Sequence, residues 1–176
     1  MEPIKLIGIT TKEICDDWNG IEDLVTKYEP AYEYDDDDNE TQVGIKIIDS
    51  CQYSQEDADK DWRQVCKWIK EDEDRIDAYG RSWYMFGIQA VATLHFPQQH
   101  TESKIIQRIS SPGLFGIESD SDDTYFEEVE EEQVAILLDM LDSMHVDVPN
   151  DFMCKLAISD TQLSVDYIRD KYPVAR

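Results

Sequence analysis

Carboxylates are the chemistry that this sequence concentrates. Residues 111–133, SPGLFGIESDSDDTYFEEVEEEQ, hold nine acids and neither lysine nor arginine, and from Ile109 to Cys154 thirteen acids occur without a base. A second block, EPAYEYDDDDNETQ at 29–42, centres on Asp35, Asp36, Asp37 and Asp38. Forty acids in one chain bring carboxylates together by chance, so spacing singles out no acid–base pair for hydrolysis. Calcium is tested by DSDDTYFEEVEE from Asp120, which has oxygens at its first and third positions and Glu131 at its twelfth. Tyr125 stands where such a loop needs glycine, and DDDDNETQVGIK from Asp35 ends in lysine, so neither is a dedicated site. His95, His100 and His145 bring no fourth-ligand pattern, and Cys15, Cys51, Cys66 and Cys154 have no metal-type spacing. The cysteines are expected to be buried, inert thiols. Ser110, Ser111 and Ser119 have no nucleophile motif, no phosphate-binding glycine loop is present, and GLFG reads as a turn. The expectation is no cofactor, no metal and no catalytic residue; an enzyme whose site assembles only in three dimensions is the alternative.

What remains is a field. The net charge is −24, which disfavours DNA, RNA and anionic membranes as direct partners and favours basic protein surfaces. On a helix predicted for 122–145, Asp123, Glu127, Glu130 and Glu131 follow i, i+4, i+7, i+8 and so line one face. A helical turn advances about 5.4 Å, and B-DNA presents a charge about every 3.4 Å per strand, so a carboxylate row approximates a phosphate row. Glu118, Asp120, Asp122, Asp123, Glu127, Glu128, Glu130 and Glu131 are therefore the candidate phosphate surrogates, with Asp35, Asp36, Asp37 and Asp38 as a second region. Leu114 and Phe115 either brace the neighbouring turn or anchor a partner; single buried apolar turn residues favour bracing. The reading is a non-catalytic acidic inhibitor that occupies the basic nucleic-acid channel of an enzyme. An acidic adaptor module without mimicry, and charge kept for solubility, are the alternatives.

The elements that position these acids follow from periodicity. IKLIGI (4–9) predicts a strand, and the apolar spacing of 11–28 predicts one or two helical pieces interrupted at Gly20. Pro30 and the aspartate run predict loop through 29–42. VGIKII (43–48) alternates as a strand. Residues 54–80 predict a helix capped by Ser54, with Trp62, Val65, Cys66, Ile69 and Ile76 inward and Glu56–Lys60 and Asp59–Arg63 pairs outside. SWYMFGIQAVATLHF (82–96) puts Tyr84, Phe86, Ile88, Ala90, Ala92, Leu94 and Phe96 on one face, with Gly87, Ala90 and Ala92 small enough to admit a helix. KIIQRIS (104–110) is its antiparallel partner, and SPGLFGI is an exit turn with Gly113 and Gly116 at positive φ. Helix 122–145 is expected to bury Phe126, Val129, Ile136, Leu137, Met140, Leu141 and Met144. One or two short helices are expected in the tail, the clearer at 159–172. The fold class is α+β: an antiparallel sheet of strands near 43–48, 83–96 and 104–110 packed on helices near 55–79 and 122–145. One domain over 1–150 and a helical tail over 151–176 are expected. With 5 Phe, 4 Trp and 9 Tyr the chain has enough apolar bulk to fold.

EDRIDAYGR (73–81), FGIQAVA (86–92) and ISSPGLFGIESDS (109–121) together resemble a family of small uncharacterised proteins carried by bacteria, phages and other mobile elements. The family pattern reads EDR-AAY-RG, then GI-A-A, then SGGLWGIESDS and an acidic helix. The likeness covers residues 70–145. Phe115 stands in place of tryptophan, and Ser111-Pro112-Gly113 in place of Ser-Gly-Gly. The resemblance brings no activity with it. It implies mobile-element origin, and with the field it points to counter-defence of the anti-restriction or anti-CRISPR kind, acting in the cytoplasm of a host. No signal peptide or membrane span is read from the sequence.

Overall fold

The alternation through 82–96 organises most of the chain. The structure, a computed structural model, describes residues 4–16, 26–35, 39–50, 52–96 and 105–173. In chain order the elements are β1 (Lys5–Cys15), β2 (Lys27–Tyr34), β3 (Glu40–Asp49), α1 (Gln55–Asp77), β4 (Met85–Phe96), β5 (Ile105–Ser110), β6 (Leu114–Glu118), α2 (Asp123–Ser143), β7 (Met153–Leu156), β8 (Thr161–Ser164) and α3 (Val165–Lys171). The fold is α+β. Its contacts divide the chain into two compact units, one of Met1–Asp16 with Met85–Arg176, the other of Asp17–Tyr84.

In the first unit β4 lies between β1 on one side and β5 and β6 on the other, all antiparallel to it. β7 joins β1 in parallel and β8 completes the order β5-β4-β1-β7-β8, with β6 beside β4. Phe86, Ile88, Ala90, Ala92 and Leu94 are buried, as period two requires. The small Ala90 and Ala92 let Leu137, Leu138 and Leu141 of α2 approach, and Val165 and Ile168 of α3 join the same core. Both helices therefore cover one face of the sheet.

In the second unit β2 and β3 form an antiparallel pair. Ile45 of β3 packs with Ala58, Val65 and Ile69 of α1, and Trp62 and Cys66 lie against this cluster. Ser54 caps α1 as expected and forms a reciprocal capping box with Asp57. The expected Glu56–Lys60 pair closes at 2.8 Å. Asp61 leaves helical geometry and kinks α1, and its carboxylate accepts the Gln64 N–H at 3.2 Å, recapping the second segment.

Several expectations are corrected. Residues 11–15 extend β1 instead of starting a helix, and Lys27–Tyr34 is strand; residues 17–25 of that segment lie outside the described residues. The β-branched run Ile9-Thr10-Thr11 pairs along Val91 and Ala90, and that pairing overrides the helical spacing of the apolar residues. The block 29–42 is largely the β2–β3 pair; Pro30 is tolerated because β2 is an edge strand. Strand 43–48 belongs to this separate two-stranded sheet, and the main sheet is mixed through its β1–β7 pairing. Residues after 150 are not an appended helical tail: β7 and β8 extend the main sheet, and Val165 and Ile168 of α3 enter its core. Gly113 and Gly116 take the expected positive φ of 88° and 75°, yet Leu114–Glu118 is a strand on β4. Gly87 admits an aromatic ring and not a helix: a Cβ there would lie 2.7 Å from the Phe115 ring. Tyr84 precedes β4 and is exposed. Cys15 is exposed, Cys66 half-buried and Cys154 buried, so only Cys154 is the buried thiol expected of all four; Cys51 lies outside the described residues.

Candidate functional site

The acidic segment begins where β6 ends. Glu118 is half-buried at its last position, and Asp120 is exposed in the turn that follows. Asp122 caps α2, its carboxylate accepting the Thr124 N–H at 2.7 Å. Hydrogen bonding from the Thr124 side chain, and then from this N–H, holds the Asp122 carboxyl below its ordinary pKa. Asp123 and Glu128 are exposed and Glu127 is half-buried.

Glu130 and Glu131 do not belong to the exposed row. They are 0 % and 2 % exposed. The buried stripe of α2 is Phe126, Val129, Glu130, Gln133, Val134, Leu137, Leu138 and Leu141, an uninterrupted i, i+3, i+4, i+7 series. Ile136 and Met144, expected inside, are exposed, and Met140 is half-buried. The apolar residues on both sides of Glu130 and Gln133 set the helix phase, and that phase carries the two polar residues inward. The same spacing, read through the polar positions, is the signal that finds them.

Glu130 is accommodated because its lone pairs are filled. It accepts the Thr11 hydroxyl, the Ile158 N–H at 2.9 Å, the Ser159 N–H at 2.9 Å and the Ser159 hydroxyl at 2.6 Å. One carboxylate thus ties α2 to β1 and to the turn between β7 and β8. Thr11 in turn accepts the Ala157 N–H at 2.7 Å. Glu131 receives the Lys171 ammonium at 2.5 Å and the Tyr172 hydroxyl at 3.2 Å, fastening the chain's end to α2. The Glu131 hydrogen bond raises the Lys171 pKa; burial, then Glu131, raises that of Tyr172. Gln133 accepts the Ser111 hydroxyl at 2.8 Å and the Gly113 N–H at 3.1 Å. These three side chains build the fold.

The opposite stripe of α2 is the exposed one: Tyr125, Glu128, Glu132, Ile136 and Asp139. Among the described residues no lysine or arginine pairs with Asp123, Glu127, Glu128, Glu132 or Asp139. Glu132 and Asp139 were not among the expected surrogates; they follow once the stripe is phased by its buried side. Glu128 and Glu132 are separated by about 6 Å along the axis and Glu132 and Asp139 by about 10 Å. In the other acidic region Asp35 is exposed and holds the Asn39 backbone and side-chain amides; Asp36, Asp37 and Asp38 lie outside the described residues.

A shallow pocket of about 260 Å³ lies between the start of α2 and the β7–β8 turn, lined in part by Asp123, Glu127, Ser159 and Thr161. The Ser159 hydroxyl is committed to Glu130, whose acceptor sites are filled, so this pair has no vacancy for a substrate proton. Phe115 is half-exposed and Leu114 more than a third exposed, while the Phe115 ring also covers Gly87. It braces β6 on β4 and still shows an edge to solvent. Among the described residues no helix is long and apolar enough to cross a membrane, and no group of His, Cys, Asp or Glu is arranged to hold a metal ion. No protein-family model, no curated protein and no solved structure matches this chain.

Proposed function

We propose that the protein is a non-catalytic acidic inhibitor whose exposed carboxylates enter the basic channel of a nucleic-acid-binding enzyme. The observation that supports this most is the unpaired outer stripe of α2. In a chain of net charge −24, Glu128, Glu132 and Asp139 stand on it with no counter-cation among the described residues, and Asp120, Asp122, Asp123 and Glu127 extend the acid to the helix start. Tyr125 and Ile136 add an aromatic and an apolar contact to the same stripe. Glu130 and Glu131 have no part in it, because their oxygens are spent inside the fold. Occupying a basic groove in this way sets the carboxylates in competition with phosphates for the same cations, so the protein and duplex DNA should exclude each other.

The experiment immobilises the protein and captures partners from bacterial lysate at low salt. Captured protein should be released by added duplex DNA and by raised salt. The triple variant Glu128→Gln, Glu132→Gln and Asp139→Asn should capture far less with an unchanged circular dichroism spectrum. Capture that neither DNA nor the triple variant reduces sinks the mimic reading and favours an adaptor with an apolar interface.

A further inference from the structure

Charge is sorted across the first unit. Its described cations are Lys5, Lys12, Arg108, Lys155, Arg169 and Lys171. Arg169 and Lys171 belong to α3 and pair with Asp142 and Glu131. The other four stand on the main sheet, and the register places them together. Lys5 pairs across from His95, Lys12 from Gln89, Arg108 from Thr93 and Lys155 from Thr10, which itself pairs from Val91. The even residues of β4 from Phe86 to Leu94 face α2, so these odd-numbered positions and their cross-strand partners face the other way. Cys154 and Leu156, on either side of Lys155, are buried in the core and confirm its outward direction.

All four cations are exposed. Among the described residues no carboxylate lies within ion-pair distance of Lys5, Lys12 or Arg108, and Lys155 reaches Asp160 only at 3.8 Å. Among the described residues no helix of this unit packs on this face and no acid occupies its registered positions between Gln89 and His95; Val91 at its centre is buried, and Glu118 lies beyond that stretch, across from Met85. Thr93 and Gln162 supply a hydroxyl and an amide between the cations, whereas Thr10 and Gln89 already donate to the Thr11 and Ser111 carbonyls.

We propose that this open sheet face binds an extended acidic polypeptide segment, whose carboxylates meet Lys12, Arg108, Lys155 and Lys5. The occupant follows from the charge and its spacing. Alternate side chains of an extended peptide share one side at a pitch of about 7 Å, and neighbouring strands lie about 4.8 Å apart. Lys12 and Lys155, one strand and two residues apart, are thus about 8 Å from each other, and Arg108 is about 16 Å from Lys155. A peptide matches such intervals by placing neutral residues between its acids. A nucleic acid brings an unbroken phosphate row, most of it left facing the field of a chain with net charge −24. Single strands are also held by stacking on successive aromatic rings, and this face has the His95 imidazole at one end and the Phe115 ring over Gly87 at the other, eight residues or about 26 Å apart along β4. The face is on the opposite side of the sheet from α2, so it is a second surface, independent of the α2 stripe.

The test is fluorescence polarisation of a labelled decapeptide alternating glutamate and threonine, titrated with the full chain at low salt. The variant Lys12→Glu, Arg108→Glu, Lys155→Glu should bind at least about tenfold more weakly. The pair Lys12→Gln, Lys155→Gln should show a partial loss without adding charge. A control, Lys60→Glu, Arg63→Glu, Lys67→Glu on α1, changes net charge equally and should stay within about twofold of the parent. The proposal is overturned if the peptide does not bind, if the control loses as much, or if decathymidylate binds more tightly than the peptide. Self-association abolished by the first variant, with no peptide binding, would assign the face to a second copy and overturn it as well.

Discussion

Glu130 and Glu128 have the same chemistry two positions apart, yet their surroundings give them opposite tasks. The Glu130 carboxylate is buried and holds four donors, one on buried Thr11 and three on half-buried Ile158 and Ser159. Glu130→Ala strands those donors, and buried unpaired polar groups cost about 1–3 kcal/mol each, so the loss should reach at least about 3 kcal/mol. Glu128→Gln should change stability by less than about 0.5 kcal/mol. Urea unfolding of both variants checks this, and equal midpoints would refute the assignment of Glu130 to the fold. Asp122 gives a prediction in pH. Its native pKa lies below the ordinary 3.8 because the ionised carboxylate accepts from the Thr124 side chain and then from the Thr124 N–H. A depressed pKa means the contribution is present above the unfolded value and lost as pH falls through the native one. Asp122→Asn keeps a capping acceptor but removes the titration, so its melting temperature should fall less steeply than the parent's below the aspartate range. Parallel curves would show that the cap does not drive the acid sensitivity.

The elements differ in how much of them the sequence declares. β4, β5, α1 and the bounds of α2 are legible because each has a long period or a clear cap; Ser54 and Asp122 mark their helices directly. β7 and β8 have four residues each, too few for alternation to register, and they form because β1 offers an edge. The phase of α2 is legible only if polar residues are allowed into the buried stripe, since Glu130 and Gln133 occupy regular core positions. Without that allowance, Ile136 and Met144 draw the predicted stripe outward and the candidate site is misplaced. The β4–β6 contact was hidden for another reason: Gly87 and Phe115 are 28 residues apart in sequence, and nothing local pairs them. Their fit predicts a coupled pair. Gly87→Ala places a methyl against the Phe115 ring and 3.2 Å from the Leu114 carbonyl, and overpacking of this kind costs about 1–3 kcal/mol. In a background of Phe115→Ala much of that cost should vanish. A double-mutant cycle on melting midpoints measures it, and additive effects would mean that the ring and the glycine are not in contact.

At the scale of the molecule, the two compact units have separate apolar clusters and separate reporters. All four tryptophans, Trp18, Trp62, Trp68 and Trp83, fall between Asp17 and Tyr84. Tryptophan fluorescence therefore follows the second unit alone, while far-ultraviolet circular dichroism follows α1 together with α2 and α3. Ile69 is 1 % exposed in the small cluster of the second unit, and Leu137 is 0 % exposed in the core of the first. Truncating either to alanine should cost about 2–5 kcal/mol within its own unit. Ile69→Ala should then lower the fluorescence midpoint and leave a later dichroism transition that belongs to the first unit. Leu137→Ala should lower only part of the dichroism transition and leave fluorescence in place. Coincident transitions define a single cooperative unit, and separated ones define two. If each substitution moves both probes by the same amount, the units unfold as one, and the separation of their cores has no thermodynamic counterpart. If the probes part, the peptide-binding sheet face and the acidic α2 stripe both belong to a unit that holds its fold without the second, and binding to each should survive Ile69→Ala at temperatures where tryptophan fluorescence has already shifted.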